Sequence, residues 1–165
     1  MQNKSILSES LEDYLETILK LQTTKSVARS KDIASALDIK RGSVTGMLKK
    51  LAANGMINYE PYGYVTLTPK GKKIAVEIEK RHIVLKDFLV RILKIESDDA
   101  EETACRMEHA LDKETFSRFS EFIAFIDNCP KCGKEWIEAF HASDGIKNDA
   151  EACKTCIENT QNQLK

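Results

Sequence analysis

Three stretches far apart in the chain carry side chains that bind transition metals, and each does so in helical register: Asp13 with Glu16, His82, and Cys105 with Glu108 and His109. Cys105, Glu108 and His109 stand at i, i+3 and i+4, so one helix face presents a thiolate, a carboxylate and an imidazole. Glu101, one turn earlier, lies on the same face. Asp13 and Glu16 also share a face, turned away from the apolar stripe of Leu11, Leu15 and Ile18. Read singly, two carboxylates off an apolar stripe are solvated charges and a lone histidine is structural. Read together with the third stretch, they form one transition-metal cluster.

A second cysteine pattern lies near the C-terminus. Cys129 and Cys132, then Cys153 and Cys156, make C-x2-C-x20-C-x2-C, the spacing of a four-thiolate zinc site. An iron–thiolate site, a redox disulfide pair and free thiols are the other readings. His141 is a weaker candidate ligand, and Trp136 with Phe140, one helical turn apart, offer a small core. Glu79-x-x-His82 and Glu138-x-x-His141 each match the Glu-x-x-His element of di-iron carboxylate enzymes. The helices are too few for such a bundle and the second pair falls in the polar tail, so the expectation is a regulator and not an enzyme.

The elements that must position these groups follow from periodicity and punctuation. Ser8–Lys25 reads as a helix with Leu11, Tyr14, Leu15, Ile18 and Leu19 on one stripe. Ser30 is expected to cap a short helix over Lys31–Leu37, and Asp38-Ile39-Lys40 is a turn. Arg41–Ala53 forms a third helix with Val44, Met47, Leu48 and Leu51 inward, stopped at Asn54-Gly55. Two β-patterned runs follow, Ile57 to Tyr59 and Tyr64 to Leu67, about the turn residues Glu60-Pro61-Tyr62-Gly63. Three helices and a hairpin is the order of a winged helix-turn-helix. Pro69 opens a long helix to about Lys94, whose Leu85, Phe88, Leu89 and Ile92 face, widened by Val84 and Val90, is expected to be a dimer interface. Ser97 is expected to cap Asp98–Leu111, with an acidic first turn that suits the helix dipole. Lys113–Ile126 is expected to be the last helix, and from Asp127 the chain turns polar and cysteine-bearing.

Charge supports a DNA-facing module. The 165-residue chain has a formal net charge of −1, yet Lys25–Lys73 holds ten basic and three acidic residues. A basic segment in an otherwise acidic chain is the footprint of a phosphate-facing surface. The start of the third helix supplies candidate base contacts in Lys40, Arg41, Gly42, Ser43 and Thr45. Gly46, one turn after Gly42, allows close backbone approach, while Lys49 and Lys50 reach phosphates. Tyr62-Gly63-Tyr64 forms the wing tip. A helix-turn-helix used only for protein contacts is the competing reading. No apolar run spans a bilayer, the first residues lack a signal peptide's apolar core, and a cytoplasmic protein is expected.

Glu12-Asp13-Tyr14-Leu15-Glu16-Thr17-Ile18, Lys80-Arg81-His82 and Ala104-Cys105-Arg106-Met107-Glu108-His109-Ala110-Leu111 resemble the signature stretches of the diphtheria toxin repressor and manganese transport regulator family. The resemblance covers about residues 8–126. It implies a metal-dependent transcriptional repressor, a homodimer on operator DNA. Asp13, Glu16, His82, Glu108 and His109 match the ligand pattern of the manganese branch, with Glu108 best placed to bridge two ions. Cys105 matches the iron branch instead, and Lys86 stands where that branch has a carboxylate of its ancillary site, which Glu101 replaces at most in part. The thiolate suits Fe(II) and the carboxylates Mn(II), so Fe(II) is expected with Mn(II) as the alternative. The expected fold is mainly α. Residues 1–72 form a winged helix-turn-helix, 73–126 a helical metal-binding and dimerisation domain, and 127–165 a small zinc-ribbon-like tail. A thiol-redox regulator working through the tail cysteines is the alternative function.

Overall fold

The computed structural model describes residues 8–25, 27–60, 63–128 and 133–142. The chain divides into two compact units, residues 1–124 and 125–165. The order is α1 (Glu9–Lys25), α2 (Ser30–Ala36), α3 (Arg41–Ala53), β1 (Ile57–Tyr59), β2 (Val65–Leu67), α4 (Pro69–Asp87) prolonged by a π-helical turn over Phe88–Ile92, α5 (Ser97–Ala110), α6 (Lys113–Asn128) and α7 (Gly133–Ala142). The architecture is mainly α, with a winged helix-turn-helix at its N-terminal end.

The stripe of α1 nucleates the first core. Tyr14, Leu15 and Ile18 pack with Ile33 of α2, with Val44, Leu48 and Leu51 of α3, and with Met56, Ile57, Val65 and Ala75. The hairpin is antiparallel, pairing Ile57 with Leu67 and Tyr59 with Val65. Ala28 adds a bridge to Val65, with the Val65 N–H donating to the Ala28 carbonyl at 2.8 Å. The Leu67 N–H donates to Gln22 Oε1 at 3.1 Å, which ties α1 to the wing.

The start of α4 is held tightly. The Thr68 hydroxyl accepts from the Gly71 N–H at 3.1 Å, and Pro69 sits in the first turn, where a missing N–H costs nothing. Gly71 is buried against the end of α3 and β1, and a Cβ there would meet the Met56 carbonyl oxygen at 1.9 Å. Gly55, with φ of +68°, makes the left-handed turn out of α3 that brings Met56 to this contact.

A second core joins Leu85 and Leu89 to Ala100 and Ala104 of α5, with Met107, Leu111 and Phe119 at its margin. Phe119 meets Phe88 edge-on with ring centroids 4.9 Å apart. The stripe expected to form a dimer interface is thus partly used within the chain, since Leu85, Leu89 and Ile92 are buried. The physical reason is α5, whose small Ala100 and Ala104 let the two helices approach and cover that face. Between the start of α4 and the start of α5, Val76, Ile83, Val90, Leu93 and Ile95 are the large apolar residues left exposed.

Four local expectations need correction. Lys113–Ile126 is not the last helix, because the chain beyond it turns helical again as α7 over Gly133–Ala142. The long helix does not continue as α-helix to Lys94: it takes a π turn, with the Leu93 N–H donating to the Phe88 carbonyl at 3.2 Å, and ends at Lys94 with φ of 58°. Such a turn inserts a residue and re-phases the side chains after it. Ser30 and Ser97 are the first residues of their helices, not caps, and the capping positions belong to Arg29 and Glu96, neither with a side-chain cap bond. The Ala28–Val65 bridge holds the chain extended up to Arg29, so α2 begins immediately after it. No described helix is long and apolar enough to cross a membrane.

Gly71→Ala is expected to destabilise the protein by about 1–3 kcal/mol or more, because backbone rather than a flexible side chain blocks the added methyl. A urea melt of the metal-free variant against the parent checks it; an unchanged midpoint would contradict the close packing of α4 on Met56.

Candidate metal centre and nucleic-acid surface

α1 is buried on two sides. Its apolar stripe faces the first core, and Glu12 and Glu16 are buried too, at 8% and 7% exposure. Their cover comes from the other candidate ligand stretches. His82, on α4, is buried, and Glu108, on α5, is 1% exposed. His109 Nδ1 lies 2.8 Å from Glu12 Oε2, and its Nε2 lies 2.9 Å from Asp13 Oδ1. His82 Nδ1 lies 2.9 Å from Glu108 Oε2. Glu108 Oε1 lies 3.5 Å from His109 Nε2, so the two oxygens of one carboxylate face two different imidazoles.

All six candidate ligands meet here, in two adjoining trios: Asp13 with Cys105 and His109, and Glu16 with His82 and Glu108. Within each trio the donor atoms lie within 4.8 Å of one another. Four buried side-chain atoms of the cluster have no hydrogen bond: Glu16 Oε1, His82 Nε2, Glu108 Oε1 and His109 Nε2. Buried polar atoms are nearly always satisfied, and convergent donors left unsatisfied fit a cation that accepts their lone pairs. The donor set fits a divalent transition metal: thiolate, carboxylate and imidazole in one trio, two carboxylates and imidazole in the other.

The electrostatics show the strain of keeping such donors together. Burial, helped by the neighbouring Glu16 charge, pushes the Glu108 carboxyl up from its ordinary 4.5 to about 7 against the pull of the two imidazoles. The carboxylates of Asp13 and then Glu12, close against its two ring nitrogens, raise His109 from 6.5 to about 10. Burial first, then the charges of Glu108, Asp13 and Glu16, push the Cys105 thiol up to about 11. Each shift means a proton held where metal coordination needs a lone pair.

Two ammonium groups stand at the rim. Lys20 Nζ lies 3.0 Å from Glu16 Oε1, without the angles of a hydrogen bond. Lys86 Nζ donates to Glu101 Oε2 at 2.6 Å, while Glu101 Oε1 lies 3.2 Å from His82 Nε2. Glu101 therefore belongs to neither trio: the Lys86 ammonium holds its carboxylate and keeps it below the ordinary carboxylate range.

The nucleic-acid candidates form a second surface. Lys40 is the capping residue of α3, and Arg41, Gly42, Ser43, Thr45, Lys49 and Lys50 are all exposed along it. Nothing lies within 4 Å of a Cβ built on Gly42 or Gly46, so the backbone there is open to a close ligand. Arg41, Thr45 and Lys49 line a concavity of about 610 Å³ with Arg29, Ser30 and Lys31. Arg29 donates to the Tyr64 hydroxyl at 3.1 Å and lies over its ring, joining α2 to the wing.

Sequence reasoning missed Glu12 and the α2 end of the basic concavity. Glu12 stands one turn before Glu16 on the same face, and that spacing was the available signal. In the fold its carboxylate holds Nδ1 of the His109 ring and leaves Nε2 toward Asp13, the arrangement by which a carboxylate fixes the tautomer and orientation of a metal-binding imidazole. Arg29 and Lys31 were visible only as part of the basic segment. Cys129, Cys132, Cys153 and Cys156, the side chain of Trp136 and Tyr62 lie outside the described residues. His141 and Phe140 sit on α7 with ring centroids 5.8 Å apart, and Phe140 is exposed.

A DNA-reading winged helix whose first helix reaches into a cluster of transition-metal donors defines a class, that of DNA-binding regulators that respond to a metal ion. Residues 6–65 match the iron-dependent repressor N-terminal DNA-binding domain, and residues 68–137 match the iron-dependent repressor metal-binding and dimerisation domain. The chain is 42% identical over 118 residues to an uncharacterized HTH-type transcriptional regulator of Methanocaldococcus jannaschii, covering 71% of this chain and 94% of that one. It is 34% identical over 126 residues to the HTH-type transcriptional regulator MntR of Lysinibacillus sphaericus, covering 76% and 90%. Among solved structures, T. acidophilum IdeR aligns with a TM-score of 0.63 at 30% identity, over 72% of this chain and 56% of that chain. A manganese-dependent transcriptional repressor in complex with manganese aligns at 0.64 and 28% identity, over 70% and 53%. The chain spans just over half the length of those two structures. The chain belongs to the iron-dependent repressor family, the diphtheria toxin repressor and manganese transport regulator proteins, which are metal-dependent transcriptional repressors.

A pH dependence follows from the cluster. Glu108 and His109 both have folded pKa values raised above the ordinary ones, to about 7 and about 10. The stability each contributes to the metal-free fold is present below its ordinary value and is lost as pH rises through the raised one. Metal binding releases those protons, so stabilisation by Mn(II) should grow as pH rises from about 6 to about 8. Melting with and without saturating Mn(II) across that range checks this, and a constant Mn(II)-induced shift would contradict it.

Proposed function

We propose that the chain is an Fe(II)-responsive repressor of metal-uptake genes, with Mn(II) as the alternative co-repressor, acting as a homodimer on operator DNA in the cytoplasm. The observation that carries the reading is the meeting of six donor side chains from α1, α4 and α5 around buried polar atoms without hydrogen bonds. Asp13, Glu16, His82, Cys105, Glu108 and His109 are the ligands, and Glu108 is shared between the two trios. The thiolate of Cys105 favours Fe(II), while Glu16 and Glu108 suit Mn(II) equally well. The family's metal-binding domain and relatives named for manganese support a divalent ion as the signal.

A bound divalent ion supplies positive charge that the carboxylates otherwise lack. Asp13 and Glu16 ride on α1, whose other side belongs to the core of the DNA-reading part, while His82 and the Cys105–His109 segment ride on α4 and α5. Holding both sets on a common centre fixes the orientation of the recognition helix and lowers the entropic cost of docking. Arg41 with Lys40, Gly42, Ser43 and Thr45 reads base edges, and Lys49 with Lys50 engages phosphates. Residues 1–72 are the DNA-binding domain and 73–126 the metal-binding and dimerisation domain. Residues 127–165 are a tail in which Cys129, Cys132, Cys153 and Cys156 hold structural Zn(II).

Two measurements test this. Anaerobic binding to the gene's own upstream DNA, with metal-free, Fe(II)-loaded and Mn(II)-loaded protein, should show at least about tenfold tighter binding with metal, equivalent to ~1.4 kcal/mol. Glu108→Ala should abolish the response, and a full response in that variant would exclude this cluster. Metal analysis of the purified full chain should find one Zn(II) that is lost in a Cys153→Ser, Cys156→Ser variant; a protein purified with no metal at the tail, its four tail thiols all labelling at once, would exclude the zinc site.

A further inference from the structure

Beside the Glu16–His82–Glu108 trio runs a groove of about 480 Å³ lined by Lys20, Glu79, Lys86 and Glu101 together with Glu16 and His82. Its two ammonium groups are tied differently. Lys86 is hydrogen-bonded to Glu101, outside both trios. Lys20 stands 3.0 Å from Glu16 Oε1, a candidate ligand oxygen that is buried and has no hydrogen bond. Glu16 and Lys20 are one turn apart on α1, so the pairing is built into the helix. Their mobility is unequal, because the Lys20 side chain is 50% exposed and that of Glu16 only 9%. The ammonium can leave for water by rotating its own stem, whereas the carboxylate is held in place.

We propose that Lys20 is a resident cation that competes with the metal ion for Glu16 and so sets the metal concentration at which the cluster fills. This rests on the reading of the cluster as the regulatory metal site. A divalent ion on Glu16 Oε1 would stand within a few ångströms of the ammonium. Like charges at that range in a partly buried site repel strongly, so Lys20 must swing out as the metal enters. The ammonium stabilises the metal-free state, in which Glu16 and Glu108 are two buried carboxylates near one another, and contributes nothing equivalent to the loaded state. A group that stabilises only the unliganded state lowers the affinity of the ligand by that difference. Removing its charge therefore moves two observables in opposite directions: metal binds more tightly, and the metal-free fold becomes less stable. A lysine that only braced α1 would leave metal affinity unchanged or weaken it.

The test is competition of Mn(II) between a fluorescent chelator and the full-length protein, with thermal melting of each metal-free protein. Lys20→Gln and Lys20→Met should lower the Mn(II) dissociation constant by about two- to fivefold, the range of a partly exposed ion pair, and lower the metal-free melting temperature. Lys20→Arg keeps the charge and should behave like the parent. Lys25→Gln, on the same helix but paired with Asp32, controls for a general change of net charge and should also leave the constant at its parent value. Unchanged or weaker Mn(II) binding in Lys20→Gln, in an experiment where Glu108→Ala has lost Mn(II) binding, overturns the role of Lys20 alone. Parent-like Mn(II) binding by Glu108→Ala overturns the cluster reading and this proposal with it.

Discussion

The structure turns on one carboxylate. Glu108 is almost fully buried, and its two oxygens point at imidazoles from two different helices, His82 on α4 and His109 on its own α5. A buried charge must be compensated, and here the compensation is shared among α1, α4 and α5. Burial raises Glu108 toward neutrality while the histidines pull it back, so the metal-free cluster sits between protonated and ionised forms. Every other feature of the site either supplies charge to this carboxylate or withdraws it.

Packing explains why the donors can converge at all. α1 is buried on two flanks: Leu15 and Ile18 are fully buried on one, and Glu12 and Glu16 are nearly so on the other. α4 is held at one end by the Gly71 contact with Met56 and at the other by Leu85 and Leu89 against Ala100 and Ala104. These two anchorages fix His82 between the first core and the second. The rigid frame leaves the metal donors few rotamers in which to avoid one another, and tight cores transmit such constraint and do not relax it.

Charge is arranged in layers around that frame. The trios lie innermost, Glu12 braces His109 from behind, and the partly exposed Lys20 and Lys86 stand at the rim. The basic surface of α2 and α3 is separate from this acidic centre, linked to it by the body of α1 and the first core. On the function proposed above, an ion at the centre acts on DNA affinity through the position of helices and not through direct contact with the nucleic acid.

Much of the fold was legible in the chain, because the periodicities are strong where cores form. The stripe of α1, the recognition helix, the hairpin order and Pro69 all carry local signals, and the observed elements follow them closely. The six donor types were legible for a similar reason: i, i+3 and i+4 spacing puts side chains on one face whatever the rest of the molecule does. Local spacing does not reveal what lies opposite a face. Only the tertiary structure decided that Leu85 and Leu89 would be covered by α5 within the chain, that Phe88–Ile92 would take a π turn, and that Glu12 would join the site while Glu101 would be drawn aside by Lys86. The donor inventory was set by residue type and helical geometry, which are properties of a few neighbouring residues. Which donors meet, which are protonated and which are held by a lysine depends on distances between helices far apart in sequence, and those exist only once the two cores have formed.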